Sequence, residues 1–405
     1  MVYRAIGLMS GSSLDGMDIA FVEFQESGGK WSYEMLKADC YAYDDEWIQR
    51  LKNATTLSAL EYQLLHVEYG HLTGKLVNRF IDENKLNYQV ALIASHGHTT
   101  FHLPLKKMTA QLGDGAAIAA ETGLPVVTDL RALDVAFGGQ GAPIVPIGEK
   151  MLWSEYDYFL NIGGIANISA RPHPNPLQKE RASETLNEER SIQYAGSSKS
   201  PSPKGEEGLG DEVYIAFDIC PANRVLNMLA NDSGKNYDNG GEMAASGSIN
   251  SVLLDKLNQL DYYKLPFPKS LANDFGTDVV YPMIRDSGCG MQDALRTYVE
   301  HIAVQIKNAI TNLIHGSGLR TPDSRLMTTG GGTFNKFLIS RITDGFKELD
   351  IEVIIPDANL VNYKEALIMA FIGVLRWRQE NNVLSSVTGA ARDSIGGALW
   401  TGQEA

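Results

Sequence analysis

Small polar residues, glycines and single carboxylates follow runs of apolar residues at several places in this chain. The first such segment, residues 10–16, joins two apolar runs and contains Gly11, Asp15 and Gly16. Glycines let main-chain N–H groups approach a ligand closely, and a carboxylate beside them could face the metal ion of a bound phosphate. The segment predicts an anion-binding turn, but an isolated turn of this composition is more often an ordinary β-hairpin.

A second candidate is Asp218, which a predicted strand delivers just before a turn and a helix predicted to start near Pro221. A carboxylate in this place could accept a proton from an attacking hydroxyl or water, or it could orient a metal ion. It could equally be the N-cap of the helix. The spacing alone does not choose between these roles.

Histidines and glycines mark three other strand ends. His96 and His98 are two residues apart, so their side chains face one side of a strand, as in a metal pair. No carboxylate or cysteine follows at ligand spacing, which favours hydrogen bonding in a polar pocket over zinc. Segments 161–167 and 328–333 carry clustered glycines that would let a ligand approach the backbone, yet the second is neither a P-loop nor a dinucleotide fingerprint.

Three charged residues have an ordinary structural explanation. Arg131 and Asp134 are spaced to form a surface ion pair, which we favour over a role in substrate binding. Glu365 is placed near the start of the last long helix, where a first-turn acid interacts favourably with the helix dipole.

Hydrophobic periodicity predicts a strand-rich start followed by alternating helices and strands. Residues 3–24 and 31–43 predict three strands in an antiparallel meander. The other predicted strands are 90–94, 158–169, 213–218, 325–329 and 351–355, and the predicted helices include 60–80, 115–121, 295–313 and 365–378. This order predicts two similar α/β units.

Length and charge restrict the class of protein. The chain has 405 residues, which predicts two lobes, and a formal net charge of -14, which argues against nucleic-acid and membrane partners. Its three widely spaced cysteines and the lack of a signal sequence predict a cytoplasmic protein. Residues 171–212, rich in Pro, Ser, Glu and Lys, predict a disordered insertion at a hairpin tip, with a partner-binding segment as the alternative.

These motifs, taken together and in this order, resemble the anhydro-N-acetylmuramic acid kinases of the sugar kinase, Hsp70 and actin superfamily. The resemblance spans nearly the whole chain except residues 171–212. The matching segments are residues 9–16, 95–99, 113–115, 129–143, 161–167, 217–218, 330–332 with Asn335, and 365–366.

The resemblance implies an α/β fold of two actin-like (RNase H-like) lobes, each a mixed sheet flanked by helices, with an interlobe cleft. We expect one lobe at residues 1–130 plus 385–405 and the other at 131–384. The family converts 1,6-anhydro-N-acetylmuramic acid to N-acetylmuramic acid 6-phosphate, with ATP and Mg²⁺ as cofactors and with hydrolytic opening of the anhydro ring, in cell-wall recycling. The implied partners are this amino sugar and ATP, and a homodimer is left open.

The resemblance also assigns roles to residues. Asp218 is implied as the base that activates water, and Asp15 as the residue near Mg²⁺, directly or through water. The residues implied to contact the nucleotide are Ser10, Gly11, Ser12, Ser13, Asp15, Gly16, Gly163, Gly164, Gly330, Gly331, Gly332 and Asn335. The residues implied to contact the sugar are His96, His98, Arg131, Asp134 and Glu365.

The chain departs from the family's usual pattern at four places. Ser12 stands where Thr is common, and His98 stands where Gln is common. Residues 218–223 lack two glycines and a hydroxyl that usually follow the aspartate, and residues 269–274 differ from the usual Lys-Ser-Thr-Gly-Arg-Glu. On this ground, a kinase for another amino sugar without ring opening stays open as an alternative. A second alternative, which rests on analogy with the actin-like fold, is a nucleotide-gated protein that binds a partner through residues 171–212.

Overall fold

A computed structural model describes residues 1–11, 14–171, 214–267, 269–272, 274–317 and 323–402. The expectations for Ser12, Ser13 and the insertion from residue 172 onward therefore lie outside the described residues. Contacts divide the chain into two compact units. Unit 1 contains Met1–Phe159, Met327–Thr333 and Ile355–Ala405, and unit 2 contains Leu160–Leu326 and Phe334–Ile354.

Unit 1 is built on a six-stranded sheet in the order β13-β7-β4-β1-β2-β3. Its strands are β1 (Val2–Met9), β2 (Gly16–Ser27), β3 (Lys30–Ala42), β4 (Leu92–Ser95), β7 (Pro125–Thr128) and β13 (Ala398–Thr401). The first three strands form the expected antiparallel meander, β4 and β7 run parallel to β1, and β13 closes the edge antiparallel to β7. A separate hairpin consists of β5 (His98–Leu103) and β6 (Met108–Leu112).

The α-helices in the described part of unit 1 are α1 (Asp45–Lys52), α2 (Ala59–Glu83), α3 (Gly115–Thr122), α4 (Ala132–Ala136), α5 (Pro146–Leu152), α12 (Ala358–Trp377) and α13 (Ser385–Thr388). The packing of α12 on β1 is close, since a Cβ on Gly7 would overlap the carbonyl oxygen of Ala366. Among the described residues, α12 is the one helix long and apolar enough to span a membrane, and most of it is buried. This burial is typical of a core helix.

The second sheet has five strands in the order β10-β9-β8-β11-β12. They are β8 (Tyr158–Ile162), β9 (Ile165–Ala170), β10 (Ile215–Pro221), β11 (Ser324–Thr329) and β12 (Ile351–Ile354). The α-helices of unit 2 are α6 (Asn223–Asn231), α7 (Glu242–Ser246), α8 (Ser251–Asn258), α9 (Tyr281–Arg285), α10 (Met291–Ser317) and α11 (Lys336–Lys347).

Both sheets share one strand order. If the strands of the five-stranded sheet are numbered by their order along the chain, they lie side by side in the order third, second, first, fourth, fifth. Five neighbouring strands of unit 1, β3-β2-β1-β4-β7, repeat this order. This repetition matches two actin-like lobes, and the mixed α/β class with helices flanking each sheet is confirmed.

The unit boundaries differ from those expected at residues 130 and 385. Unit 1 extends to Phe159 and also takes Ile355–Ala405. The reason is packing, because α12 lies on β1 and β2 and its contacts therefore belong to the first sheet. Helix α12 also begins at Ala358 with Asp357 as its N-cap. The expectation that Glu365 is a first-turn acid is therefore wrong, since Glu365 lies two turns inside the helix.

Candidate active site

The turn between β1 and β2 is the first part of the site in unit 1. Leu14 has a φ of 57°, a left-handed conformation that is uncommon for a bulky residue, and its N–H donates to the Gly11 carbonyl at 3.4 Å. A Cβ on Gly16 would overlap Tyr41. The turn is therefore specified both by a strained residue and by a glycine that no other residue can replace without moving β3.

A buried chain of hydroxyl groups holds Ser10. The Tyr43 hydroxyl donates to Ser10 Oγ at 2.9 Å and lies 2.6 Å from the Tyr69 hydroxyl. On its other side, Ser10 Oγ lies 3.2 Å from Nδ1 of His98. Burial lowers the pKa of His98, which keeps its imidazole neutral near pH 7. Sequence reasoning missed both tyrosines because Tyr43 follows β3 and Tyr69 lies in α2, far from the turn along the chain.

His96 is also buried and neutral. Burial and the charge of Arg131 lower its pKa to about 4. Its Nδ1 lies 2.9 Å from the Gly97 carbonyl, so Nδ1 carries the proton and donates, and Nε2 is a hydrogen-bond acceptor. Among the described residues, no group of three or more His, Cys, Asp or Glu side chains could hold a metal ion.

Arg131 and Asp134 do not form a surface ion pair. Asp134 is 0 % exposed, and its carboxylate accepts hydrogen bonds from the Gly141 N–H at 2.7 Å and the Thr388 hydroxyl at 2.7 Å. Arg131 is buried as well, and its Nε donates to the Gly141 carbonyl at 2.6 Å. The surface interpretation is wrong because the loop around Gly141 folds back over both side chains.

Three carboxylates lie near one another in unit 1, and sequence reasoning identified only two of them. Burial raises the pKa of Asp18 to about 6, and the charges of Asp15 and Glu365 raise it further, while a hydrogen bond from the Cys40 thiol lowers it. The same proximity to carboxylate, together with burial, raises the Cys40 pKa to about 12. Burial also raises the pKa of Glu365, opposed by the charge of Lys364.

The triple glycine follows β11 as expected, and unpaired hydroxyls accompany it. Gly330 has a φ of 85°, and its carbonyl accepts a hydrogen bond from the Thr333 N–H at 3.0 Å. Within the described ranges, the buried hydroxyls of Thr328, Thr329 and Thr333 have no hydrogen-bond partner. Such groups are costly unless a ligand or water completes them, so they single out this turn.

In unit 2, Asp218 lies in β10, and it is not a helix cap. Its Oδ2 accepts hydrogen bonds from the Leu271 N–H at 2.8 Å and from the Ser270 hydroxyl at 3.3 Å. Helix α6 has Ala222 at its N-cap position, without a side-chain bond. Burial raises the pKa of Asp218, and the bonds from Leu271 and Ser270 lower it. The carboxylate is thus half-buried, and two hydrogen bonds fix its orientation.

The glycine turn between β8 and β9 contacts the start of α6. The Gly164 carbonyl accepts a hydrogen bond from the Ala222 N–H at 2.8 Å, and the Gly163 carbonyl accepts one from the Asn223 N–H at 3.1 Å. Asn335 is the N-cap of α11, where its side-chain oxygen accepts the Leu338 N–H at 3.0 Å. These contacts fix the two predicted nucleotide segments of unit 2 in place.

The repeated strand order, with glycine turns after β1, β8 and β11, defines an α/β protein built on two sheets of the same topology. A family model described as anhydro-N-acetylmuramic acid kinase matches residues 3–178 and 209–402. The chain belongs to this family of phosphotransferases.

Curated relatives match this chain along nearly its full length. The chain is 28% identical over 416 residues to the anhydro-N-acetylmuramic acid kinase of Haemophilus influenzae, covering 98% of this chain and 97% of the relative. It is 30% identical over 416 residues to that of Francisella tularensis subsp. novicida, covering 97% of each. A solved structure, the activator of the 2-hydroxyisocaproyl-CoA dehydratase from Clostridium difficile with bound ADPNP, aligns with a TM-score of 0.39 and 10% identity, covering 93% of this chain and 96% of that one.

Proposed function

We propose that this chain transfers the γ-phosphoryl group of ATP to O6 of 1,6-anhydro-N-acetylmuramic acid while water opens the anhydro bridge. Water forms a bond to the anomeric carbon, the bond from that carbon to O6 breaks, and O6 takes the phosphoryl group as ADP leaves. The product is N-acetylmuramic acid 6-phosphate, and the setting is cytoplasmic recycling of peptidoglycan. Family membership supports this reaction over the two alternatives that the sequence left open.

The proposal depends on Asp218, to which we assign the role of the base that takes a proton from the attacking water. One carboxylate oxygen is anchored by Leu271 and Ser270, and no described residue provides a hydrogen bond to the other. Burial raises its pKa above that of an ordinary aspartate, which makes the ionised carboxylate a stronger base.

We assign the phosphate side to the turn at Ser10, Gly11 and Gly16, the glycine turn at Gly163 and Gly164, and the triple-glycine turn. Support comes from the unpaired hydroxyls of Thr328, Thr329 and Thr333, which ATP could complete. Asn335 caps its helix beside Gly241 and would position the nearby backbone for the nucleotide. Ser12 and Ser13 keep the phosphate role that the family resemblance implies.

The carboxylates of unit 1 fit Mg²⁺ chemically. Mg²⁺ is usually held by one or two carboxylates, waters and substrate phosphates. Burial is the main cause of the raised pKa of Asp18, and the charges of Asp15 and Glu365 raise it further, a contribution that a divalent cation would relieve. Asp15, directly or through water, and Asp18 would hold it, and when bound it would neutralise charge on the transferring phosphate.

The sugar side is assigned to His96, His98, Arg131 and Glu365. Muramic acid carries a carboxylate, and Arg131 is a buried guanidinium that a carboxylate would pair with well. Both carboxylate oxygens of Asp134 already accept hydrogen bonds, so we assign it an indirect role. Asp134 holds the loop at Gly141, whose carbonyl accepts a hydrogen bond from Arg131.

Asp218→Asn tests the proposal. The variant keeps shape but cannot accept a proton, so we expect turnover with the anhydro-sugar to fall at least about a hundredfold while ATP binding is retained. Mass spectrometry of the wild-type product should find the substrate plus water plus phosphate. A product that gains phosphate alone would reject the ring-opening reaction, and near-normal turnover in Asp218→Asn would reject the assigned base.

A further inference from the structure

Asp218 lies on an edge strand, so its outward backbone groups need partners from outside the sheet. Among the described strands, β10 is the edge of the five-stranded sheet and pairs with β9 alone. The Asp218 N–H donates to the Lys269 carbonyl at 3.1 Å, and the Asp218 carbonyl accepts a hydrogen bond from the Tyr262 hydroxyl at 2.7 Å. Residues 262–267 and 269–271 therefore form a covering segment on the edge of β10 at Asp218.

The same segment also holds the side chain. Leu271 and Ser270 both donate to Oδ2 of Asp218, which leaves Oδ1 with no hydrogen-bond donor in the described part of the chain. Backbone and carboxylate are thus fixed by four hydrogen bonds from one segment. Within the described residues, the two carboxylate oxygens of Asp218 are therefore not equivalent, since Oδ2 accepts two hydrogen bonds and Oδ1 accepts none.

The strand itself is irregular at this point. The pairing of β10 with β9 shifts register between Asp218 and Cys220, which leaves Ile219 as an extra residue. A bulge of this kind re-aims the neighbouring side chains and removes the regular ladder that would otherwise fix them. The orientation of Asp218 consequently depends on the covering segment.

The covering segment is itself held. The Lys269 ammonium group lies 4.6 Å from the centre of the Tyr262 ring and donates to the Tyr262 carbonyl at 3.1 Å. The Tyr262 ring also packs against Phe275 at 5.6 Å between ring centres. The Tyr262 hydroxyl is therefore presented to Asp218 by a fixed ring.

We propose that Tyr262 and Ser270 are positioning residues for Asp218, with Tyr262 fixing the backbone of the bulged strand and Ser270 fixing the anchored carboxylate oxygen. The inference rests on the proposed role of Asp218 as the base. It adds two residues to which neither the resemblance nor the strand-end pattern assigned a role, and one of them lies in the segment that departs from the family's usual residues.

Ser270 also affects the acidity of the carboxyl group. Its hydroxyl donates to the ionised form and lowers the pKa of Asp218, opposing burial. A base must be deprotonated to act, so activity is lost as the pH falls through its pKa. Loss of the Ser270 hydroxyl raises that pKa and moves the acid limb of the pH profile to higher pH.

The first test is the pH dependence of kcat/KM for Ser270→Ala, with the anhydro-sugar, ATP and Mg²⁺. We expect the acid limb of the pH profile to move up by about half a pH unit, because the variant loses one solvent-exposed hydrogen bond to the Asp218 carboxylate. Ser270→Thr keeps the hydroxyl and should restore the wild-type limb. An acid limb of Ser270→Ala that coincides with that of the wild type overturns the role of Ser270.

The second test is Tyr262→Phe, which keeps the ring and removes the hydroxyl. We expect kcat to fall about three- to tenfold with little change in KM for either substrate, because misorientation affects the reacting geometry more than binding. Tyr281→Phe is the matched control, since the Tyr281 hydroxyl bonds Asp232 at 2.9 Å elsewhere in unit 2. Equal kcat values for Tyr262→Phe and the wild type overturn the role of Tyr262.

Asp218→Asn separates this inference from the proposed function. If Asp218→Asn keeps near-normal turnover, the assigned base is wrong and the inference fails with it. If Asp218→Asn is inactive while Ser270→Ala and Tyr262→Phe behave as wild type, the base stands and only the positioning roles are overturned. Thermal melting of each variant confirms that the fold is retained.

Discussion

Ser10 Oγ lies 3.2 Å from Nδ1 of His98, which joins the turn after β1 to the first residue of the β5 hairpin. The contact links a residue assigned to phosphate with one assigned to sugar. If the Ser10 hydroxyl donates to Nδ1 of the neutral imidazole, the ring proton of His98 lies on Nε2. In the proposed site, this Nε2–H would donate to the substrate.

His98→Gln restores the residue that is common in the family and removes a titratable group. Burial lowers the pKa of His98, so its protonation is confined to acid solution, where a protonated Nδ1 can no longer accept from Ser10. We expect the KM for the anhydro-sugar to rise on acidification in the wild type and to stay flat in His98→Gln. His98→Ala should raise KM about tenfold at neutral pH. Steady-state kinetics between pH 5 and about 8 measure both, and identical pH dependence in wild type and His98→Gln would count against the contact.

Asp18→Asn is expected to stabilise the protein in neutral solution without nucleotide or metal. The pKa of Asp18 in the folded state is raised to about 6 from 3.8, so the stability that its protonated form contributes is complete below about pH 4 and is lost as the pH rises through 6. Above pH 6 the variant should be more stable by up to about 2 kcal/mol, and the gain should vanish toward pH 4.

Urea unfolding across this pH range measures the effect. Glu34→Gln, at an exposed position on the neighbouring strand β3, is the control and should change little at any pH. A variant Asp18→Asn that is less stable than the wild type at pH 8 would contradict the argument.

Lys364→Met breaks a buried ion pair in unit 1. Lys364 Nζ lies 2.8 Å from Glu149 Oε1, and the two side chains are 5% and 4% exposed. Removing one partner leaves a buried charge, so we expect a loss of about 3–5 kcal/mol in the free energy of unfolding. The double variant Lys364→Met with Glu149→Gln should recover part of this loss. Arg79→Ala, which breaks the exposed pair with Glu83, should cost less than about 1 kcal/mol, and an equal loss in both would refute the argument.

Thr333→Val tests whether the unpaired hydroxyls of the triple-glycine turn belong to the nucleotide site. The Thr333 hydroxyl has no partner among the described residues, so its removal should leave the melting temperature of the free protein unchanged or higher. ATP affinity, measured by calorimetry, should fall about five- to tenfold. Ser394→Ala removes another buried, unpaired hydroxyl outside this turn and should leave ATP affinity unchanged. Unchanged affinity in Thr333→Val would remove this hydroxyl from the site.

Local patterns in the sequence were sufficient for the fold class and for most elements. The meander of β1 to β3, the helix over 115–122 and the strand before Gly330 all follow from short-range periodicity and turn residues, which act within a few residues of the chain. The order of several motifs was also sufficient to indicate the family, which the family model and the relatives confirm.

Only the tertiary structure decided which side chains meet. Spacing along the chain does not reveal the setting of Asp18, because its neighbours Cys40 and Glu365 lie on other elements. It does not reveal the burial of Arg131 and Asp134 either, because the loop that covers them comes later in the chain. Asp218 likewise binds Tyr262 and Leu271, which lie more than 40 positions away, and it does not cap α6. Burial and long-range hydrogen bonds set the protonation and orientation of these groups, and neither can be read from spacing along one strand or helix.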